Sequence, residues 1–177
     1  MKRREAIKAI SLISAGAVFF PSCTGNESSA VPLKNLTVPA SQQDMLADIA
    51  ETIIPKANNF IGAKDINAHI FLLTMMDDCE APGDQKKFIA GMREFETAFE
   101  KKYGSAFSQA SPDKKTDWLK AVQQKENISE DVQFFYGKCK QYTIKAFTAS
   151  KEYMTKVLDY KLVPGSNYRG CVPVKKA

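Results

Sequence analysis

From Ser41 onward, apolar side chains recur every three to four residues in stripes separated by Pro, Gly and polar breaks. This is the period of helices with one buried face. Met45, Leu46, Ile49 and Ile53 predict a first helix, opened by a capping pair, Ser41 and Asp44, and closed before Pro55. Asp65 is expected to cap a second, with Ile66, Ile70, Leu73 and Met76 on one face. Phe71, Leu72 and Met75 widen that face, so this helix is expected to be central and buried on most sides. Phe88, Met92, Phe95, Phe99 and Tyr103 stripe a third, from about Asp84 to the stop at Gly104. An aromatic stripe at this spacing predicts core rather than a cofactor platform.

Ser111-Pro112-Asp113 is a helix start, with a capping hydroxyl, proline at the first helical position and an early acid. Trp118, Leu119 and Val122 then face inward. A long helical region follows from Ser129 to Leu158, with Val132, Phe135, Cys139, Thr143, Ala146 and Phe147 in register and a break expected at Ser150. Pro164, Gly165, Asn167, Gly170 and Pro173 make the tail from Lys161 to Val174 turn-rich and non-helical. No stretch alternates as a strand does. The predicted fold is all-α, a single domain of about five or six helices with an extended C-terminal segment packed on them.

The first residues follow a different logic. Lys2, Arg3, Arg4 and Lys8 precede an uncharged apolar run, Ala9 to Phe20, and small residues close it at Ser22-Cys23. That is the order of an export signal, and the run is short of the ~20 residues that span a bilayer. Arg3-Arg4 matches either a twin-arginine signal, which exports folded proteins, or the basic start of the general route. Cys23 reads as a lipid acceptor that would become the acylated N-terminus, although Phe20 and Pro21 also permit ordinary cleavage. Three parts result: residues 1–22 as export signal, 23–40 as a flexible tether rich in Ser, Asn, Thr and Pro, and 41–177 as the helical domain. The expected location is the periplasm or cell envelope, on a membrane through the lipid.

Charge changes the picture little once the signal is set aside. The formal net charge is +5, but residues 1–22 hold four of the cations and one acid, which leaves +2 for the remainder. Both signs are interspersed there, which argues against nucleic-acid binding. The cysteines are more informative. Cys139 falls in a helical apolar stripe and is expected in the core. Cys171 is the foremost disulfide candidate, within or between chains, with Cys79 as a candidate partner. No CxxC or CxxCH occurs.

Candidates for chemistry are few. His69 is the single histidine, on a helix otherwise given to packing. No GxGxxG precedes a helix, so no nucleotide cradle is expected. Asp77, Asp78 and Glu80 suggest a metal or an acid pair. Adjacent helix residues point apart, however, so a solvated helix end is the favoured expectation. The chain is expected to hold no catalytic, cofactor-binding or metal-ligating residues of its own.

Several segments, in order, resemble the gluconate 2-dehydrogenase subunit 3 family. They are LADIAETIIP (Leu46 to Pro55), Gly62-Ala63, Asp77-Asp78-Cys79, FIAGMREFETAFEKKYG (Phe88 to Gly104), Phe107, Ser111-Pro112, and the closing YKLVPGSNYRGCVPV (Tyr160 to Val174). The likeness spans about residues 42–174. It implies a non-catalytic small subunit that helps a large FAD-containing subunit of the glucose-methanol-choline type mature and leave the cytoplasm. It also implies a cytochrome c subunit as a further partner, which an anchor at Cys23 would make dispensable. Tyr168, Gly170 and Cys171 would contact the large subunit. The alternative is a free-standing envelope lipoprotein that binds a ligand or another envelope protein.

Overall fold

The computed structural model describes residues 32–125 and 128–161. Its helices are α1 (Ala40–Ile53), α2 (Ala68–Asp78), α3 (Pro82–Tyr103), α4 (Pro112–Gln123) and α5 (Glu130–Thr148). A 3₁₀ turn (Phe107–Gln109) joins α3 to α4, and a π-helical turn (Tyr153–Val157) follows α5. The domain is all-α, and no strand occurs among the described residues.

The aromatic stripe of α3 is the centre of the core. Phe88, Phe95 and Phe99 are fully buried and meet Phe107, Trp118 and Phe135 at centroid separations of 5.0 to 6.0 Å. Each such ring removed from water stabilises the fold by roughly 1.5–3 kcal/mol. The stripe requires α3 and α5 to lie close together. Gly91 permits this, since a Cβ there would sit 2.1 Å from the Asp131 carbonyl oxygen and 2.8 Å from Phe135 Cβ.

Several boundaries follow the sequence closely. Gly104 ends α3 with φ +71°, its N–H bonded to the Glu100 carbonyl at 2.8 Å. Ser129 caps α5, accepting from the Val132 N–H at 3.3 Å and donating to Glu94 at 2.8 Å. The α5 helix ends at Thr148, and the Ser150 hydroxyl accepts the Tyr153 N–H at 3.2 Å, as expected for a break there.

Others differ, each for a local reason. The first helix starts at Ala40, and its Gln43 side chain bonds back to the Val38 carbonyl at 3.0 Å. Ser41 thus lies inside the first turn and no side chain caps the end. Asp65 does not cap α2, because its carboxylate accepts the Gly62 N–H at 3.0 Å and Lys56 Nζ at 3.1 Å. The helix begins three residues later, after left-handed Asn67. Neighbouring Glu51 accepts the N–H groups of Lys56 and Lys64 at 2.8 and 2.9 Å, closing the same loop.

The largest departure precedes α1. Leu36 and Val38 are buried in the main core, with Leu33 packed against it. Residues 33–38 therefore lie as a strap on the domain, bent at Lys34 and Asn35, and are not part of a tether. The polar composition of this stretch masked apolar positions two apart, the period of an extended chain with one covered face.

Candidate docking surface

The strap is held by one carboxylate. Asp77, on the last turn of α2, accepts the N–H groups of Lys34, Asn35 and Leu36 at 2.7, 2.8 and 2.7 Å. Asn35 returns a bond from Nδ2 to the Asp77 carbonyl at 2.8 Å. Three consecutive N–H groups aimed at one anion form an anion nest built across two segments. Asp77 is only 4 % exposed, covered by the strap itself. That burial pulls its pKa upward, but the three N–H bonds and Lys34 outweigh it and leave the net value lowered. A depressed folded-state pKa gives stability that is present above the unfolded value and lost as pH falls through the folded one. The strap should thus loosen as pH falls below the ordinary aspartate value and through the lowered folded one, seen as a drop in protection of the amides of residues 34–36 relative to their intrinsic exchange rate at each pH. Protection there that persists unchanged down to the pH at which the whole domain unfolds would contradict this.

The other acids near the end of α2 have separate partners. Glu80 accepts Lys138 Nζ at 2.5 Å and the Tyr142 hydroxyl. The hydrogen bond from Lys138, then that from Tyr142, holds the Glu80 carboxyl below its usual range. Burial, with the bond to Glu80, pushes Tyr142 up to about 12. Asp78 faces Lys34 at 3.4 Å in an exposed pair. Gln85 reaches back from α3 to the carbonyls of Met76, Asp77 and Glu80 at 3.0, 2.9 and 3.2 Å. Only Asp78 matches the solvated helix end expected for this cluster. Asp77 and Glu80 brace the domain, and the spacing of acids along one helix gave no sign of partners 42 and 58 residues away.

A further anion ties other elements. Asp48 of α1 receives Lys64 and, at 2.9 Å, Lys115 of α4. Cys139 is buried in the core as expected, and burial pushes its thiol pKa up. His69 is half-buried on α2, and burial lowers its pKa, favouring the neutral ring. Among the described residues no three His, Cys, Asp or Glu side chains are grouped to hold a metal, and no helix is long and apolar enough to cross a membrane.

The large exposed apolar side chains among the described residues are Phe71, Ile144, Val157, Leu158 and Tyr160. All but Phe71 lie on α5 or the segment after it. Phe71, 37 % exposed, departs from the expectation that α2 is covered on most sides. Its ring meets Tyr142 edge-on at 6.2 Å. An open cleft of about 590 Å³ beside it is lined by Ile66, Asn67 and Phe71 and by Ala146, Ser150 and Glu152. The rings of Phe60 and Tyr153 each meet that of Phe147, at 5.8 and 5.7 Å.

Cys79 stands exposed just past α2 with a free thiol. Arg3, Arg4, Cys23, Tyr168, Gly170 and Cys171 lie outside the described residues.

The family described as gluconate 2-dehydrogenase subunit 3 matches residues 40–165. The chain belongs to that family. The gluconate 2-dehydrogenase subunit 3 match covers all five α-helices and the exposed apolar side chains, and it starts at the first residue of α1. No curated protein and no solved structure matches the chain. A subunit 3 is by name one component of a dehydrogenase complex.

Proposed function

We propose that this chain is the accessory subunit of a flavin-dependent sugar or sugar-acid dehydrogenase of the glucose-methanol-choline type. It binds the large catalytic subunit, aids its maturation and carries it out of the cytoplasm. The observation that carries this reading is the family match across the whole helical domain. The leader supports the escort role, because Arg3-Arg4 ahead of an apolar run suits a route that exports folded, cofactor-loaded proteins. FAD resides in the partner, and the chemistry is the partner's. A lipid on Cys23 holds the complex at the envelope, and a cytochrome c subunit completes it where electrons pass to a respiratory chain.

The surface supports docking over catalysis. Asp48, Asp77 and Glu80 are each engaged in holding two segments of this chain together. The exposed apolar side chains of Phe71, Val157, Leu158 and Tyr160 are offered to the large subunit, together with Tyr168, Gly170 and Cys171 of the tail that follows in sequence.

Affinity capture of the tagged chain from its native envelope tests this. The expected result is a large co-purifying protein that shows oxidised-flavin absorbance and reduces a dye with a sugar substrate. Repeated recovery of the small chain alone would overturn it and favour the free-standing lipoprotein.

A further inference from the structure

A cleft of about 390 Å³ opens between the strap and α3. Leu36 and Thr37 line it from the strap, and Lys86, Ile89, Ala90 and Arg93 line it from the helix. The two cations are seven positions apart, two helical turns or about 10 Å along the axis. Ile89 and Ala90 lie between them, and among the described residues no acidic side chain lines the cleft.

Lys34, Lys56, Lys64, Lys87, Lys115 and Lys138 each face a carboxylate of this chain. Lys86 and Arg93 are exposed and face none among the described residues. The helix itself supplies no partner. Lys86 has no acid three or four positions away on α3. The one acid so placed for Arg93, Glu96, accepts from Gln42 Nε2 at 3.3 Å. Lys101 and Lys125 are also unpaired among the described residues, but no apolar cleft lies beside them. The opposite wall offers main-chain pairing. The N–H groups of residues 34–36 are turned onto Asp77, whereas the N–H and hydroxyl of Thr37 have no partner among the described residues. A wall fixed by a buried carboxylate is in place before anything binds, which lowers the ordering cost of docking.

We propose that this cleft docks an extended acidic segment of the large catalytic subunit, an inference that rests on the reading of the chain as that subunit's partner. Two carboxylates about three residues apart in an extended chain have the roughly 10 Å spacing of Lys86 and Arg93. An apolar side chain between them covers Ile89 and Ala90, and a carbonyl of the segment accepts the Thr37 N–H. Ion pairs at such a rim add little affinity each, but they set register, partner choice and the rate of encounter.

Capture of the tagged full chain, with a water-soluble carbodiimide added before denaturation, tests this. The expected product is an amide between Lys86 and an Asp or Glu of the flavin-bearing subunit, identified by mass spectrometry. Lys86→Glu combined with Arg93→Glu should lower recovery of that subunit about tenfold at low salt. Lys101→Glu combined with Lys120→Glu changes the net charge equally at exposed positions outside this cleft and should leave recovery unchanged. Both double variants should melt with the parent, since all four side chains are exposed. Undiminished recovery with the first pair, equal losses with both pairs, or Lys86 joined instead to an acid of its own chain would overturn the docking cleft and leave the accessory reading standing. An unaltered chain that captures no flavoprotein would overturn both.

Discussion

Gly91→Ala should destabilise the domain by roughly 2–4 kcal/mol, even though alanine is the better helix former. Both residues are compatible with the helical backbone at this position, and propensity alone would favour alanine by about 0.8–1.0 kcal/mol. The added methyl, however, would lie 2.1 Å from the Asp131 carbonyl oxygen. The obstacle is backbone on the first turn of α5, which cannot rotate aside as the end of a long side chain would. Helices α3 and α5 would have to separate by more than an ångström, loosening the Phe88–Phe135 and Phe95–Phe135 contacts at 5.1 and 5.4 Å. Gly137→Ala is the control. That glycine is exposed on α5 and an added Cβ meets nothing within 4 Å. It should stabilise by about 0.5–1 kcal/mol. Urea unfolding followed by Trp118 fluorescence reads both, with the midpoint of Gly91→Ala shifted down by on the order of 1 M. Equal effects of the same sign would refute the close approach of the two helices.

Asp77→Ala should cost a similar amount, about 3–5 kcal/mol, for a different reason. The substitution removes the single acceptor of three strap N–H groups and leaves them to find water beside a buried Leu36. Asp77→Asn keeps one carbonyl oxygen and the shape but loses the charge, so about half that loss is expected. The distinguishing signal is local. Amide exchange at residues 34–36 should speed up by more than the global loss of stability explains, while the amides of α3 and α4 follow global unfolding. Asp78→Ala, one residue on, breaks only an exposed pair at 3.4 Å and should change stability by less than ~0.5 kcal/mol. If Asp77→Ala and Asp78→Ala proved equally mild, the strap would not depend on this carboxylate.

These two positions show what was legible in the chain. The stripes of α3 and α5 gave the core directly, because Phe88, Phe95, Phe99 and Phe135 repeat at the period of the helix that buries them. Ends governed by local backbone chemistry, such as Gly104 and Ser129, were equally readable. What escaped was the pairing of groups distant in sequence. Asp77 and Glu80 look like a charged helix end until Lys34–Leu36, Lys138 and Tyr142 are brought to them. Asp65 has the chemistry of a helix cap, but a loop glycine and Lys56 take both its oxygens. Leu36 and Val38 failed to register because a strap with one covered face needs only two apolar residues among polar ones. The exposure of Phe71 was concealed for the opposite reason. Phe71 fits the apolar stripe of α2, and only the packing of α5 beside it leaves the ring open.

A domain that holds its own charged groups in bracing roles, with apolar side chains left exposed, suits a subunit whose work is contact. The central claim is that such contact carries a catalytic flavoprotein to the envelope. It is tested most directly by deleting this chain and measuring where its partner's sugar-dependent dye-reducing activity resides. The account predicts that the activity disappears from the envelope and returns when the intact chain is restored. It should not return with a chain carrying Arg3→Lys and Arg4→Lys. Undiminished envelope activity in the deletion strain would contradict it.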